Sequence, residues 1–391
     1  MMLTEAKNLH MEHIEDEIIN SGAEGVDAVR EYIAGLLDLL DGSDSQSKLT
    51  VKWDGAPAII CGTNPKNGRF FVGTKSVFAQ RSKAAYTPTQ IRSFYQGQLA
   101  DKLENAFIYL KRLNIKQVLQ GDLMFDDNIK QDDGQSISFQ PNTIVYKVDA
   151  GTELYQTIKR ARVGIAFHTT YVGNDFASMD AQFGADISKL NSSADVWVDD
   201  ATVKNVSGTV TMTKAEQLEL SLAMKRLNPE SVASSVWSAM KSNSEFINTF
   251  KIFINSEIKR GTGITKPVDV LNKFATFYRA RKEKELATLK MDKAKQTRIQ
   301  QIKDQLQFLN DNKQGLTIML TMYNQTIKAK NIILNKLKNA QQIGTFKRTD
   351  KGLEVTDPEG FVAINTGGNA VKLVDRLAFS RTNLTTQKNW T

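Results

Sequence analysis

Apolar residues recur at helical spacing over residues 24–40, where Val26, Val29, Ile33, Leu36, Leu37 and Leu40 form one stripe. Gly42 and the polar run 43–47 end it. The pattern then changes to short β-prone runs. Leu49-Thr50-Val51 and Ala58-Ile59-Ile60-Cys61 flank a polar break, and Asn64-Pro65-Lys66-Asn67-Gly68 supplies turn chemistry. Arg69-Phe70-Phe71-Val72-Gly73 returns as the second strand of a hairpin. Further strands are predicted at 120–125, 143–148, 361–364 and 371–374. Between about Thr213 and Phe346 the helical period takes over. Thr213 and Glu216 have the spacing of a capping box, Pro229 and Pro267 each open a helix, one long helix is expected within 269–310, and another over 316–339. The chain therefore divides into a helical segment 1–48, a β-rich part 49–212, a helical insertion 213–344 and a second β-rich part 345–391. The fold class is α+β.

The polar break between the first two strands reads Lys52-Trp53-Asp54-Gly55. It places a lysine at the start of the hairpin, on a rigid element that can aim a nucleophile, with a carboxylate two residues on. Three more fragments follow in order: Gln120-Gly121-Asp122-Leu123-Met124-Phe125, Thr143-Ile144-Val145-Tyr146-Lys147-Val148, and Pro358-Glu359-Gly360-Phe361 before Val371-Lys372-Leu373-Val374.

In that order the fragments resemble the motifs of the covalent nucleotidyltransferases, the superfamily of ATP-dependent RNA and DNA ligases and mRNA capping enzymes. The resemblance covers roughly 49–171 and 345–381. It implies an antiparallel-sheet adenylation core, with ATP and Mg2+ (or Mn2+) as cofactors and a lysyl-AMP intermediate, a case of covalent catalysis that divides one hard step into two. By position, Lys52 would be the nucleophile, Asp54 its orienting partner, and Gly55 the point where backbone passes close to the nucleotide. Asp122 stands where the family usually has glutamate, contacting ribose or metal. Tyr146, or failing it Phe167, would stack on the base. Glu359 would be the second metal-associated acid and Lys372 the cation on the α-phosphate. Lys75 stands where many ligases carry a Ser-Arg pair. The sequence departs from the pattern at Pro57, where an arginine is common, at Asp122, and at Val374, where a second lysine is common and Arg376 is the nearest substitute.

The 391 residues carry a net charge of +8, which makes a polyanionic partner plausible through counterion release. Arg279, Arg281, Lys282, Lys290, Lys293, Lys295 and Arg298 are the expected phosphate contacts, against the plainer reading of a solvated helical bundle. RNA is favoured over DNA, because the short stretch after Val374 leaves no room for the OB-fold that DNA ligases and capping enzymes append. The implied function is ligation of 5′-phosphate to 3′-hydroxyl ends, with a DNA ligase or guanylyltransferase-like enzyme as alternative. The rival from another class is a nucleic-acid-binding or virion-associated protein that keeps the fold without ligating. The organisation looks like phage equipment, and a host cytoplasmic location is expected. No apolar run approaches the roughly 20 residues of a membrane span, and a single cysteine, Cys61, excludes an internal disulfide. His10, Glu12, His13, Glu15 and Asp16 form a weak metal-like cluster better read as a packed helix face, and His168 is read as a hydrogen-bonded core histidine.

Overall fold

The computed structural model describes residues 11–40, 47–200, 212–338, 343–349, 352–355 and 359–377. The predicted stop at Gly42, His10 and Pro358 lie outside them. Helices α1 (Asp16–Ser21) and α2 (Ala23–Leu40) precede strand β1 (Lys48–Lys52) and the hairpin of β2 (Ala58–Thr63) and β3 (Phe70–Gly73). Helices α3 (Pro88–Phe94) and α4 (Gly97–Leu110) lead to β4 (Val118–Asp126), β5 (Gln131–Asp132), β6 (Ser136–Phe139) and β7 (Val145–Asp149). Next come α5 (Glu153–Arg160), β8 (Val163–Val172), β9 (Asp180–Phe183) and β10 (Val196–Asp199). The helical stretch holds α6 (Lys214–Arg226), α7 (Ser234–Lys241), α8 (Ser244–Lys259), α9 (Pro267–Thr288), α10 (Asp292–Asp311) and α11 (Lys313–Lys338). Strands β11 (Gly344–Thr349), β12 (Gly352–Val355), β13 (Gly360–Ile364) and β14 (Ala370–Leu373) follow.

The fold is α+β, and among the described residues the strands pair antiparallel except for β8 with β10. Local sequence explains the main boundaries. The hairpin turns where Asn64 accepts from the Lys66 amide and Gly68 takes a positive φ of 67°. Thr213 and Glu216 form both hydrogen bonds of the capping box that starts α6. Two expectations needed correction. The long helix within 269–310 is two helices, α9 and α10, broken at Leu289–Met291, where Leu289 and Met291 have extended backbone. Pro229 opens only a 3-10 turn, and α7 begins at Ser234.

Among the described residues the strands form three sheets. The order β1-β13-β14 makes a small sheet, β10-β8-β4-β2-β3 with β9 a larger one, and β12-β11-β7-β6-β5 a third. Lys52 thus ends a strand of the small sheet, paired with Gly360, and is not part of the hairpin itself. The correction matters, because residues 53–57 become the crossing between two sheets. Strand alternation gives the small sheet two unlike faces. Leu49, Phe361, Ala363, Val371 and Leu373 enter one apolar core with α1, α2 and most of the helices from α6 to α11. The helical insertion is therefore packed on the small sheet and the amino-terminal helices through a shared core. Thr50, Lys52, Val362 and Lys372 alternate to the opposite face.

The larger sheet buries Ile59, Cys61, Leu119, Leu123, Ile165 and Phe167 against α3 and α4. Its second face carries two apolar patches, one around Ile60, Phe71 and Val118 and one around Met124, Phe125 and Trp197. Along β4, Gln120 and Asp122 fall between those patches, so the strand has a polar gap in mid-length.

Candidate functional site

The loop 53–57 is held at both ends by specific hydrogen bonds. The Ala56 amide donates to the Leu123 carbonyl at 3.0 Å and the Leu123 amide donates to the Pro57 carbonyl at 3.1 Å, stitching the loop to β4. Gly55 is required there, because a Cβ would lie 2.6 Å from Asp122 Cβ and 2.9 Å from Met124 Sδ. The close approach Gly55 permits is to β4 and the flank of Asp122.

Asp54 is buried, and its carboxylate is fully used. Asn142 Nδ2 donates to it at 2.7 Å, the Thr143 amide at 2.8 Å and the Ile144 amide at 3.0 Å. The Asp54 amide in turn donates to the Tyr146 hydroxyl at 2.8 Å. Asp54 therefore orients Lys52 through the backbone, by clamping the intersheet loop to the segment before β7. Its oxygens do not reach the lysine, which differs from a direct carboxylate–amine pair.

The Lys52 amine instead forms an ion pair with Glu359, at the start of β13. Burial raises the Glu359 carboxyl from 4.5 to about 6, with the Lys52 charge opposing the rise and the carboxylates of Asp54 and Asp122 adding to it. Asp122 and Glu359 are thus electrical neighbours. Lys372 lies on the same face of the small sheet as Lys52. Burial lowers its ammonium below the usual lysine range, and the Lys52 charge pushes the same way. Lys52, Glu359, Asp122 and Lys372, drawn from both ends of the chain, meet in one region. His168 stands beside it, with Nε2 3.7 Å from Asp122 Oδ1 and Nδ1 2.8 Å from Thr169 Oγ1; it is half-buried rather than a core residue.

The aromatic assignments are corrected. Tyr146 is 1% exposed, its ring stacked on Phe139 at 5.6 Å and met edge-on by Trp53 at 5.2 Å. Phe167 is wholly buried in the core under α3 and α4. Neither offers a face to a base. The partly exposed aromatic next to Lys52 is Trp53, whose indole donates to Asp199 Oδ2 at 3.0 Å. It occupies the free position of the Lys-x-Asp-Gly run and was legible there as an aromatic. Lys75 is exposed at the start of the 3-10 helix after β3. The register Ile60↔Gly73 with Ala58↔Asp122 brings it to the Asp122 end of the larger sheet.

The expected phosphate contacts on α9 and α10 fare unevenly. Lys282 is buried and paired with Glu245 at 2.8 Å and Glu285 at 3.1 Å, so it is a structural cation. Glu285 also takes Arg298 at 3.3 Å and Arg281 at 3.7 Å, and Asp292 takes Lys295 at 3.6 Å. Arg279, Lys290 and Lys293 are exposed. A groove of about 960 Å³ nearby is lined by Phe253, Arg260, Lys273, Phe277, Arg281 and Lys284.

Of the metal-like cluster around the start of α1, the three acids are engaged in ion pairs. Glu12 meets Lys251 at 2.7 Å, Glu15 meets Lys330 at 2.8 Å, and Asp16 meets Arg376 at 2.9 Å. Among the described residues no group of three or more His, Cys, Asp or Glu is arranged to hold a metal ion, and no helix is long and apolar enough to cross a membrane. A magnesium ion needs less from the protein. It keeps waters and binds one or two carboxylates together with substrate phosphates, a demand that Asp122 and Glu359 fit.

No curated protein and no solved structure matches the chain. One family model does, over residues 8–388, that of a family of unknown function, DUF6267. The match spans both sheets and helices of the candidate site, and the chain belongs to that family.

Proposed function

We propose that this protein is a covalent nucleotidyltransferase of the polynucleotide ligase kind, acting on RNA in preference to DNA. The observation that carries the reading is the meeting of Lys52, Glu359, Asp122 and Lys372 on the two sheets joined by the clamped loop 53–57. Neutral Lys52 attacks the α-phosphorus of ATP, the bond to the β-phosphate oxygen breaks, and pyrophosphate leaves. The Glu359 carboxylate is the acceptor at hand for the amine proton. Lys372 neutralises charge that builds on the α-phosphate. Asp122 and Glu359 would hold magnesium, which when bound supplies further charge neutralisation on the phosphates. AMP then passes to a 5′-phosphate, and a 3′-hydroxyl displaces it.

The test is transfer. Protein incubated with α-labelled ATP and magnesium should hold label through denaturation and lose it onto 5′-phosphorylated RNA, less readily onto DNA. Stable label that no polynucleotide discharges would retain the nucleotidyltransferase and reject the ligase. A second reading, a nucleic-acid-binding protein that keeps the fold without ligating, is favoured by one observation: both aromatics matched to the base platform are sealed in the core. It predicts salt-dependent RNA binding with no covalent label.

A further inference from the structure

We infer that His168 is a metal ligand beside Asp122, and that the pair makes the site select a divalent first-row transition ion over magnesium; this rests on the nucleotidyltransferase reading, which gives Asp122 to the metal. The geometry begins with a β-bulge. Along the pairing of β4 with β8, Gln120 stands opposite Thr169 and Gly121 opposite Phe167, so His168 has no position opposite it on β4. The parity of β8 changes there. Phe167 faces the core under α3 and α4, whereas Tyr171, four residues on, packs on the patch around Ile60, Phe71 and Val118 on the other face. A bulge of this kind re-aims a side chain, and such irregularities gather next to active sites.

The bulge puts His168 at the polar gap of β4. Asp122 pairs directly with Ala166, and the two share a face. His168 comes two residues after Ala166 and lies on that face, with Nε2 3.7 Å from Asp122 Oδ1. Gln120, which accepts from the Tyr171 hydroxyl at 2.7 Å, is a further polar group there. The His168 and Asp122 side chains are 28% and 23% exposed, so a solvated ion can reach both.

The spacing suits a shared ion better than a direct bond. A hydrogen bond from a charged imidazole to a carboxylate would close to about 2.7–2.9 Å. Two donors that each sit about 2.1 Å from one ion stand about 3.4 Å apart at the tetrahedral angle, a few tenths of an ångström from the observed gap. Nδ1 lies 2.8 Å from Thr169 Oγ1, the kind of contact through the second ring nitrogen that orients a ligating histidine. With Nδ1 donating there, Nε2 keeps its lone pair beside a carboxylate, and a cation between them would join two atoms that otherwise repel. Two protein donors suffice where substrate phosphates and waters fill the remaining positions. An imidazole nitrogen among them favours a transition ion, because magnesium takes oxygen ligands.

The probe is Mn2+, the weakest binder of the first-row series and a paramagnetic one, added to the full chain with and without inorganic pyrophosphate. Electron spin-echo spectroscopy of the bound ion should show coupling to a directly ligated 14N. In wild-type protein labelled with 15N-histidine that coupling should change to the 15N pattern, a readout that needs no variant to fold. His168→Gln should abolish the coupling and weaken Mn2+ binding about tenfold or more, while Mg2+ binding changes by less than about threefold. Mn2+ bound without nitrogen coupling, coupling that survives in His168→Gln, or no bound Mn2+ in either condition overturns the proposal. A lysyl-AMP adduct formed by protein whose Mn2+ shows no nitrogen coupling would overturn it while leaving the nucleotidyltransferase intact. Nitrogen-coupled Mn2+ that depends on His168, without any adduct from ATP, would support the site and reject the enzyme.

Discussion

Replacing Glu359 by glutamine should make the protein more stable at alkaline pH, even though it breaks an ion pair. The carboxyl is lifted from 4.5 to about 6 with its attraction to Lys52 already included. A shift of 1.5 units (6 − 4.5) corresponds to about 2 kcal/mol. The sign follows from where the proton binds more tightly. The folded state holds the Glu359 proton better than the unfolded chain, so the favourable contribution is complete below pH 4.5 and is lost as pH rises through 6. At pH 8 the buried carboxylate costs about 2 kcal/mol, and the side chain is only 14% exposed, so solvent screens little of it. The neutral amide of the Glu359→Gln variant would mimic the protonated acid. Thermal melting of wild type and Glu359→Gln at pH 8 and pH 4.5 checks this. The variant should melt roughly 2–4 °C higher at pH 8, with the two curves converging at pH 4.5. An equal or lower melting point at pH 8 would refute the claim that this carboxylate is held charged against the fold, the kind of stability sacrificed for a reactive site.

Other perturbations separate scaffold from chemistry. Asp54→Ala leaves one buried and two half-buried donors without their acceptor and should lower unfolding free energy by about 3–5 kcal/mol, measured by urea titration; Asp54→Asn should lose less. Gly55→Ala forces a Cβ against Asp122 and Met124 and should reduce lysyl-AMP formation at least tenfold, read by single-turnover labelling, with the melting point changed by less than that of Asp54→Ala. Lys330→Met leaves fully buried Glu15 with only the longer contact to Arg376 at 3.7 Å and should destabilise by about 3–5 kcal/mol, whereas the double variant with Glu15→Leu should recover most of it. Lys282→Ala should lower the melting point without changing the salt slope of RNA binding, while Lys293→Ala, if it contacts a phosphate, should reduce that slope by about 1 and leave melting alone.

Much of the scaffold was written in short-range pattern. The stripe through Val26, Val29, Ile33 and Leu36 is the buried face of α2, and the turn at residues 64–68 closes the β2–β3 hairpin. These features depend on neighbours in sequence, so local period and turn chemistry reveal them. What local pattern cannot hold is sheet partnership. Lys52 pairs with Gly360 across the whole chain, so its membership in the small sheet was invisible from the hairpin beside it. The break between α9 and α10 was missed because charged residues on either side of Leu289 keep helical composition while the backbone extends.

The site residues divide along the same line. Lys52, Asp122, Glu359 and Lys372 were named from motif order, and the structure brings them together. The roles given to Tyr146 and Phe167 did not survive, because a tyrosine or phenylalanine on a strand shows its residue type and not which face it takes. Burial decides that, and here it sends Tyr146 to brace the Asp54 amide. Likewise, Lys282 looks like any other lysine of its run until Glu245 and Glu285 are seen around it.

The central claim is that Lys52 is a nucleophile. Intact mass of the purified protein tests it most directly, taken after pyrophosphate treatment to discharge preloaded chains and then after incubation with ATP and magnesium. GTP and NAD are run in parallel, with Lys52→Ala as control. The account predicts one added AMP per chain from ATP, absent in Lys52→Ala and reversed by pyrophosphate. A protein whose mass stays unchanged with every nucleotide, while it remains folded, would contradict it.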